Sequence, residues 1–315
     1  MPATMNPQVV GFGQCSLDIL GQTERYPELD QKAELNSLLL QGGGPVATAL
    51  VTLARLGVPV AMAGAVGDDE FGGKIRQGLM QEQVDCSCLV QSPGTSSQVA
   101  FIAVDAAGHR NIFWHRGTAR PKVPESFPAL LANAVRILHL DGLHLEQAII
   151  AAALARDLKV VTVLDAGTLR PGMERLLPLI DHLVVSEKFA CQAIRRDDPE
   201  AALKRLAEYG AEAVTITLGK TGSLSMNGDG RVFRQPAFAV DAIDTTGCGD
   251  VFHGGYIYGV LQDWPLPQTV RFATACAALK AKALGGRTAI PTLQEAESFL
   301  QGQLNQGNGK SALLT

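Results

Sequence analysis

The chain of 315 residues has no surplus of positive charge, few aromatic rings and no long apolar run. Its 27 Lys and Arg stand against 31 Asp and Glu, a formal net charge of −4 with no basic stretch to offset it, which argues against a nucleic-acid surface. Aromatic residues make up 5%, with four Tyr and two Trp, so a slot that stacks a planar base has little to draw on. The longest apolar windows fall short of the roughly 18 to 20 residues that a membrane span needs. No secretory-type apolar segment follows a charged start, and the protein is expected in the cytoplasm. The six cysteines, at 15, 86, 88, 191, 248 and 276, contain no Cys-x-x-Cys pair; they read as reduced thiols, not a disulfide frame or a zinc site. Internal repeats and Pro-rich linkers are absent.

What remains is a chain 46% hydrophobic with 33 Gly, fitting a large core with many tight turns. A strand at 9–13 opens it, and segments at 18–20 and 35–40 have the shape of a small sheet. Residues 46–57 form a mostly apolar helix, with Pro45 near its start and Gly57 at its stop. A strand at 60–66 follows, and Asp68 or Asp69 caps a helix over 71–83. Segments 98–104 and 110–114 alternate as a β-ribbon. From 134 onward strands (136–140, 160–164, 182–185, 213–217) alternate with helices (145–157, 199–209), and helices at 248–261, 267–284 and 292–300 close the chain. Such alternation implies a doubly wound, mostly parallel α/β sheet flanked by helices, with ligand sites at the carboxyl ends of its strands. We expect one domain over 1–302, a small β-sheet lid from about 14–41 and 95–118, and a loose tail at 303–315.

The most informative stretch is Asp244-Thr245-Thr246-Gly247-Cys248-Gly249-Asp250, which runs into the small and apolar residues from Val251 onward. Two glycines permit a tight turn and close approach of a ligand. The free N–H groups of the helix that follows attract phosphate. A carboxylate beside a phosphate subsite is out of place for binding alone, but suits a base that takes a proton from an attacking hydroxyl. The bland alternative is an N-cap turn with an Asp in the first helical turn. Two other glycine-rich motifs compete. Gly219-Lys220-Thr221 looks like the end of a Walker A loop, but the glycine that motif needs five residues earlier is Val214. Gly42-Gly43-Gly44-Pro45-Val46-Ala47 fits Gly-x-Gly-x-x-Ala, with Asp68 downstream, and keeps an NAD-dependent dehydrogenase as a rival. His115, His139 and His144 lack ligand spacing and read as structural.

Taken in order, the motifs resemble the PfkB or ribokinase family of ATP-dependent sugar kinases over nearly all of 8–300. They are the segment from Gly13 to Asp18; Gly43-Gly44 opening the helix that ends Leu53-Ala54-Arg55-Leu56-Gly57; Gly64-Ala65-Val66-Gly67-Asp68-Asp69-Glu70-Phe71-Gly72; Thr217-Leu218-Gly219-Lys220-Thr221-Gly222; and Asp244 to Asp250. The resemblance implies Asp250 as general base, the backbone of Gly247, Cys248 and Gly249 as anion hole, and Asp18 and Gly43 as sugar contacts. Thr48 stands where relatives carry a substrate-binding Asn. Arg110 resembles the lid arginine of ketohexokinase-like members, the branch this chain is most similar to in feel, which also begin a helix with Ser at the position of Ser186. Thr217, Gly219 and Gly222, with Ser186, are implied around ATP, and Phe189 replaces the family's Glu that contacts Mg²⁺ through water. Asp244 and Thr246 match a loop that binds a monovalent cation such as K⁺, mostly through backbone carbonyls. The implied activity is Mg²⁺- and ATP-dependent phosphorylation of a hydroxymethyl group on a small, ketose-like sugar, by a homodimer joined through the lid. A nucleoside kinase and a catalytically silent sugar-binding protein are the alternatives.

Overall fold

Short apolar strands separated by helices can join one sheet only by crossovers that keep them parallel. The structure, a computed structural model, describes residues 6–106 and 109–311. In chain order its elements are β1 Val9–Phe12, β2 Ser16–Gln22, β3 Ser37–Gly43, α1 Pro45–Arg55, β4 Val60–Gly67, α2 Glu70–Gln81, β5 Leu89–Ser92, β6 Val99–Val104, β7 Arg110–His115, α3 Phe127–Leu131, β8 Ile137–Leu140, α4 Leu145–Asp157, β9 Val161–Ala166, β10 His182–Ser186, α5 Glu187–Ile194, α6 Pro199–Ala207, β11 Ala213–Thr217, β12 Ser223–Asn227, β13 Val232–Gln235, α7 Cys248–Leu261, α8 Leu266–Lys280 and α9 Leu293–Ser311. Among the described residues no helix is long and apolar enough to cross a membrane.

The large sheet runs β13-β12-β11-β10-β9-β8-β1-β4-β5. It is parallel from β5 to β11, and β12 and β13 add an antiparallel edge. The chain leaves β1 toward β4 and later returns to β8 on the other side, so the topological switch lies between β1 and β8. In sheets of this kind a ligand crevice forms at such a switch, at the strands' carboxyl ends. Asp141, just past β8, ties the two ends together: its Oδ2 accepts from Gln14 N at 2.7 Å and its Oδ1 from Leu143 N at 2.8 Å.

One apolar core lies between the sheet and α1, α7 and α8, and a second lies under α3 to α6. Helix α7 is apolar all round and almost wholly buried, as a helix without a solvent face must be. Its glycines make this possible: Gly254 lies against Thr52 and Ala49 of α1, and Gly255 against Ala273 and Cys276 of α8.

The lid is a separate sheet, β3-β2-β6-β7. Register places Gln41, Asp18, Ala100 and Trp114 in one cross-strand row and Leu40, Ile19, Phe101 and Phe113 in the next. Adjacent rows point to opposite faces, so Asp18 faces the crevice and the Leu40 row faces out.

Strands β5, β12 and β13 are additions to the expected pattern. β5 buries only Leu89 among its four residues and shows no alternation. The other two form a hairpin across the turn Asn227-Gly228-Asp229-Gly230. The sequence pattern ends the last helix at 300 and leaves 303–315 loose, whereas the backbone stays helical to Ser311; residues 312–315 lie outside the described residues.

Asp69 is the cap of α2. Its Oδ1 accepts from Gly72 N at 2.8 Å and Ser97 Oγ at 2.6 Å, and its Oδ2 from Ser97 N at 2.7 Å, joining the helix to the strand that leads into the lid. Asp69→Ala is expected to cost about 2 kcal/mol, read as a lower urea midpoint with unchanged slope. An unmoved midpoint would contradict this role.

Candidate active site

Gly247 precedes α7 with φ 76, and a Cβ there would come within 2.8 Å of Gly286 O. Only glycine allows this turn without strain. Cys248 N donates to Thr245 O at 3.2 Å and Val251 N to Gly247 O at 2.9 Å. Among the described residues, no backbone acceptor meets the N–H groups of Gly249 and Asp250. These amides carry the positive end of the helix dipole. The Cys248 amide, expected in the anion hole, is partly engaged by Thr245. Its thiol turns toward Ala277 O at 3.5 Å, and burial pushes it up to about 11, so it is a neutral packed side chain.

Asp250 stands in the first turn of α7, half-buried. Burial raises its pKa, the Asp165 carboxylate adds to the rise, and His253 and Arg287 oppose it. Its opening onto the crevice moderates the burial effect. His253, one turn further on and buried, has Nδ1 2.7 Å from Gly249 O and 3.3 Å from Asp165 Oδ2, with Nε2 3.1 Å from Val184 O. It therefore fastens the first turn of α7 to β9 and β10. Asp165 and His253 escaped the sequence analysis, although their signal was there: His253 follows Asp250 at helical spacing, and Asp165 ends a strand. Of the histidines that were considered, His139 is a core residue pushed down to about 3 by burial, His144 is pushed down to about 4 by burial and then by Arg116, Arg120 and Arg170, and His115 lies exposed on the lid.

On the lid side, Asp18 Oδ1 accepts from Ser16 Oγ at 2.9 Å, and burial raises its pKa. Gly43 passes so close that any Cβ would strike the Asp18 carboxylate. Thr48 is buried under a residue the sequence analysis missed. Arg287, 4% exposed, donates from Nε to Thr48 Oγ1 at 3.2 Å and from NH2 to Gly43 O at 3.0 Å. Burial brings its pKa down to about 10. A guanidinium thus stands where Thr48 lacks an amide. Gly42, whose absent side chain makes room for Arg287, belongs to this contact and not to a dinucleotide loop. Arg110 reaches across from β7, NH1 donating to Thr245 Oγ1 at 2.6 Å, so the lid touches the loop before α7.

On the other side of α7 a cavity of about 670 Å³ is lined by Thr217, Gly219, Gly222, Phe238, Val240 and Gly249, among others, a size that suits a small-molecule ligand. Ser186 does not line it: its Oγ accepts from Phe189 N at 3.1 Å and donates to Gly167 O at 2.8 Å, capping α5. Phe189 is wholly buried. The expected cation loop is taken up by donors. Asp244 Oδ1 accepts from Thr246 N at 2.8 Å and Thr246 Oγ1 at 2.7 Å, Oδ2 from Gly285 N at 2.8 Å, and the Asp244 carbonyl from Lys280 Nζ at 2.7 Å.

The sequence profile of the pfkB family of carbohydrate kinases matches residues 6–293. The chain belongs to that family. This carbohydrate kinase is 30% identical over 268 residues to a ribokinase of Haemophilus influenzae, covering 82% of this chain and 87% of that protein. It superposes with a TM-score of 0.89 on a crystal structure from Agrobacterium tumefaciens that carries a provisional ribokinase name, at 27% identity over 96% of this chain and 99% of the other. An Arabidopsis thaliana ribokinase solved with ribose and ATP gives 0.80 at 21% identity, over 94% and 99% of the two chains. The dehydrogenase reading falls with this membership: the kinase is an ATP-dependent phosphotransferase acting on sugars.

Replacing Arg287 by Met strands the Thr48 hydroxyl and the Gly43 carbonyl beside the crevice. We expect KM for the accepted sugar to rise about tenfold while KM for ATP stays nearly constant, with Arg287→Lys failing to restore it because an ammonium lacks the planar fork. Equal changes in both constants would contradict this.

Proposed function

We propose that this kinase phosphorylates a hydroxymethyl group of a small sugar or sugar derivative, ketose-like in preference, with Asp250 as general base. The observation that carries the reading is the Asp250 carboxylate, set in the same helical turn as the unbonded amides and within electrostatic reach of Asp18 and Arg287. A hydroxyl held by Asp18 and the Gly43 backbone loses its proton to Asp250, its oxygen attacks the γ-phosphorus of ATP, and ADP departs. The backbone at 247–249 holds the transferred phosphoryl group. Such a step needs alignment and charge neutralisation more than covalent catalysis. Thr217, Gly219 and Gly222 bound the cavity we assign to ATP. Mg²⁺, when bound with the nucleotide, neutralises the phosphate oxygens. Phe189 offers it no carboxylate, and among the described residues no cluster of three or more His, Cys, Asp or Glu is set to hold an ion, which suits a metal carried on the triphosphate. Thr48 acts through Arg287, and Arg110 through the lid contact with Thr245.

Trp114 shares the inner lid face with Asp18 and is 53% exposed, which favours a nucleoside as the second reading. The outer row supports a homodimer through the lid, since Leu40, Phe101 and Phe113 are 49, 38 and 68% exposed there. A requirement for ATP and reduced thiols fits the cytoplasm.

Sugars, sugar acids, sulfonated sugars and nucleosides should be screened for substrate-dependent ADP release, and a ketose-like sugar is expected to lead. With the accepted substrate, Asp250→Asn should lose at least ~10²-fold in turnover; near-normal turnover would sink the base assignment. The base must be ionised to act. A raised pKa means that it holds its proton to higher pH, so kcat/KM should fall, as pH is lowered, through a value above the ~3.9 of a free Asp. An acid limb at the ordinary value contradicts the raised pKa. Light scattering at micromolar concentration should show a dimer, and a species of 33.3 kDa alone would rule it out.

A further inference from the structure

Lys280 ends α8 with its charge directed inward, and the residue is 0% exposed. Its Nζ donates to the Asp244 carbonyl at 2.7 Å. Among the described residues, no carboxylate oxygen lies within 4.0 Å of it, so this buried ammonium is not held by an ion pair. That is unusual, because a buried cation without a paired anion is costly. The loop it grips is fixed from every side. Ile243 N and Asp244 N donate to Ala281 O at 2.8 and 3.2 Å, and both Asp244 carboxylate oxygens are taken by Thr246 and Gly285. This loop leads straight into Gly247 and the free amides of α7. Cys248, Asp244, Arg110 and Asp250 are the charged or titratable groups that act on the ammonium.

A monovalent cation held by backbone carbonyls is what the resemblance to ribokinases implies at Asp244 and Thr246. The residues present do not fit one. The Asp244 carbonyl already takes a cation, both carboxylate oxygens already take donors, and an added K⁺ would sit beside a like charge. We propose that Lys280 is a positioning residue whose ammonium supplies the fixed monovalent charge behind the anion hole, so that phosphoryl transfer by this chain does not require K⁺. The inference rests on the anion hole assigned above. The ammonium holds the Asp244 carbonyl and thereby the turn at Gly247, and it adds positive potential where phosphate charge gathers.

The test compares turnover in KCl with turnover in tetramethylammonium chloride at equal ionic strength. The native enzyme should differ by less than about twofold between the salts, while Lys280→Met should lose roughly 10- to 100-fold in tetramethylammonium and regain part of that with K⁺ or NH₄⁺. A residue that merely packed would show no rescue by a small cation. Activation of the native enzyme by K⁺ of about tenfold or more overturns the proposal, as does a folded Lys280→Met variant with native turnover in both salts. Should that variant fail to fold, the salt comparison on the native enzyme decides alone. Equilibrium binding of Tl⁺ gives a readout apart from turnover: no site near the loop is expected, and a bound ion there overturns the proposal. Asp250→Asn separates the two readings. If it keeps turnover in either salt, the assigned site itself fails; if it is inactive and the native enzyme needs K⁺, only the role of Lys280 fails.

Discussion

Everything at the site depends on one constraint: a single helical turn must offer unbonded amides to an anion while carrying a carboxylate beside it. Like charges would drive such a pair apart in water. Here the turn cannot move, because α7 is buried on all sides and its glycines seat it directly on α1 and α8. His253 adds a polar anchor from the same helix to β9 and β10. Asp250 feels the carboxylates of Asp165 and Asp18 on one hand and His253 and Arg287 on the other, and it acts in turn on the Lys280 ammonium. The result is a compact field that, on the proposed mechanism, holds the Asp250 carboxylate as a base beside the phosphate subsite.

The lid is linked to that turn as well as to the side proposed to hold the sugar. Asp18 rides on β2 and Arg110 on β7, yet Arg110 hydrogen-bonds Thr245, two residues ahead of Gly247. Movement of the lid is therefore felt at the start of α7. Arg287 plays a similar part from the far end of the chain, bracing Gly43 at the end of β3 and Thr48 in α1 together. On the proposed function, substrate choice and catalytic geometry share these braces.

Much of this was legible in the sequence because it is local. The bounds of α7, the Gly247 turn, the carboxylate at Asp250, the α/β alternation and the lid strands all follow from periodicity, glycine placement and capping residues close together in the chain. What escaped was nonlocal or carried by the backbone. Arg287 meets Thr48 across 239 residues, and no spacing rule joins them. Lys280 looks like an ordinary basic residue in the last turn of a helix, where a lysine normally faces solvent; only the packing of α8 on the loop at 243–244 turns it inward. Ser186 fits its motif position, but its hydroxyl is engaged in capping α5. Carbonyl oxygens, which decide whether a cation can bind at Asp244, leave no mark in the sequence.

The central claim is that phosphoryl transfer takes place at the start of α7, between Asp250 and the free amides. A crystal structure with the accepted sugar, Mg²⁺, ADP and a planar aluminium fluoride mimic of the transferred group tests it most directly. The account predicts one sugar hydroxyl within hydrogen-bond distance of the Asp250 carboxylate and in line with the mimic, whose fluorines meet backbone N–H groups at 247–250. A mimic bound elsewhere, or a reacting hydroxyl facing some other base, would contradict it.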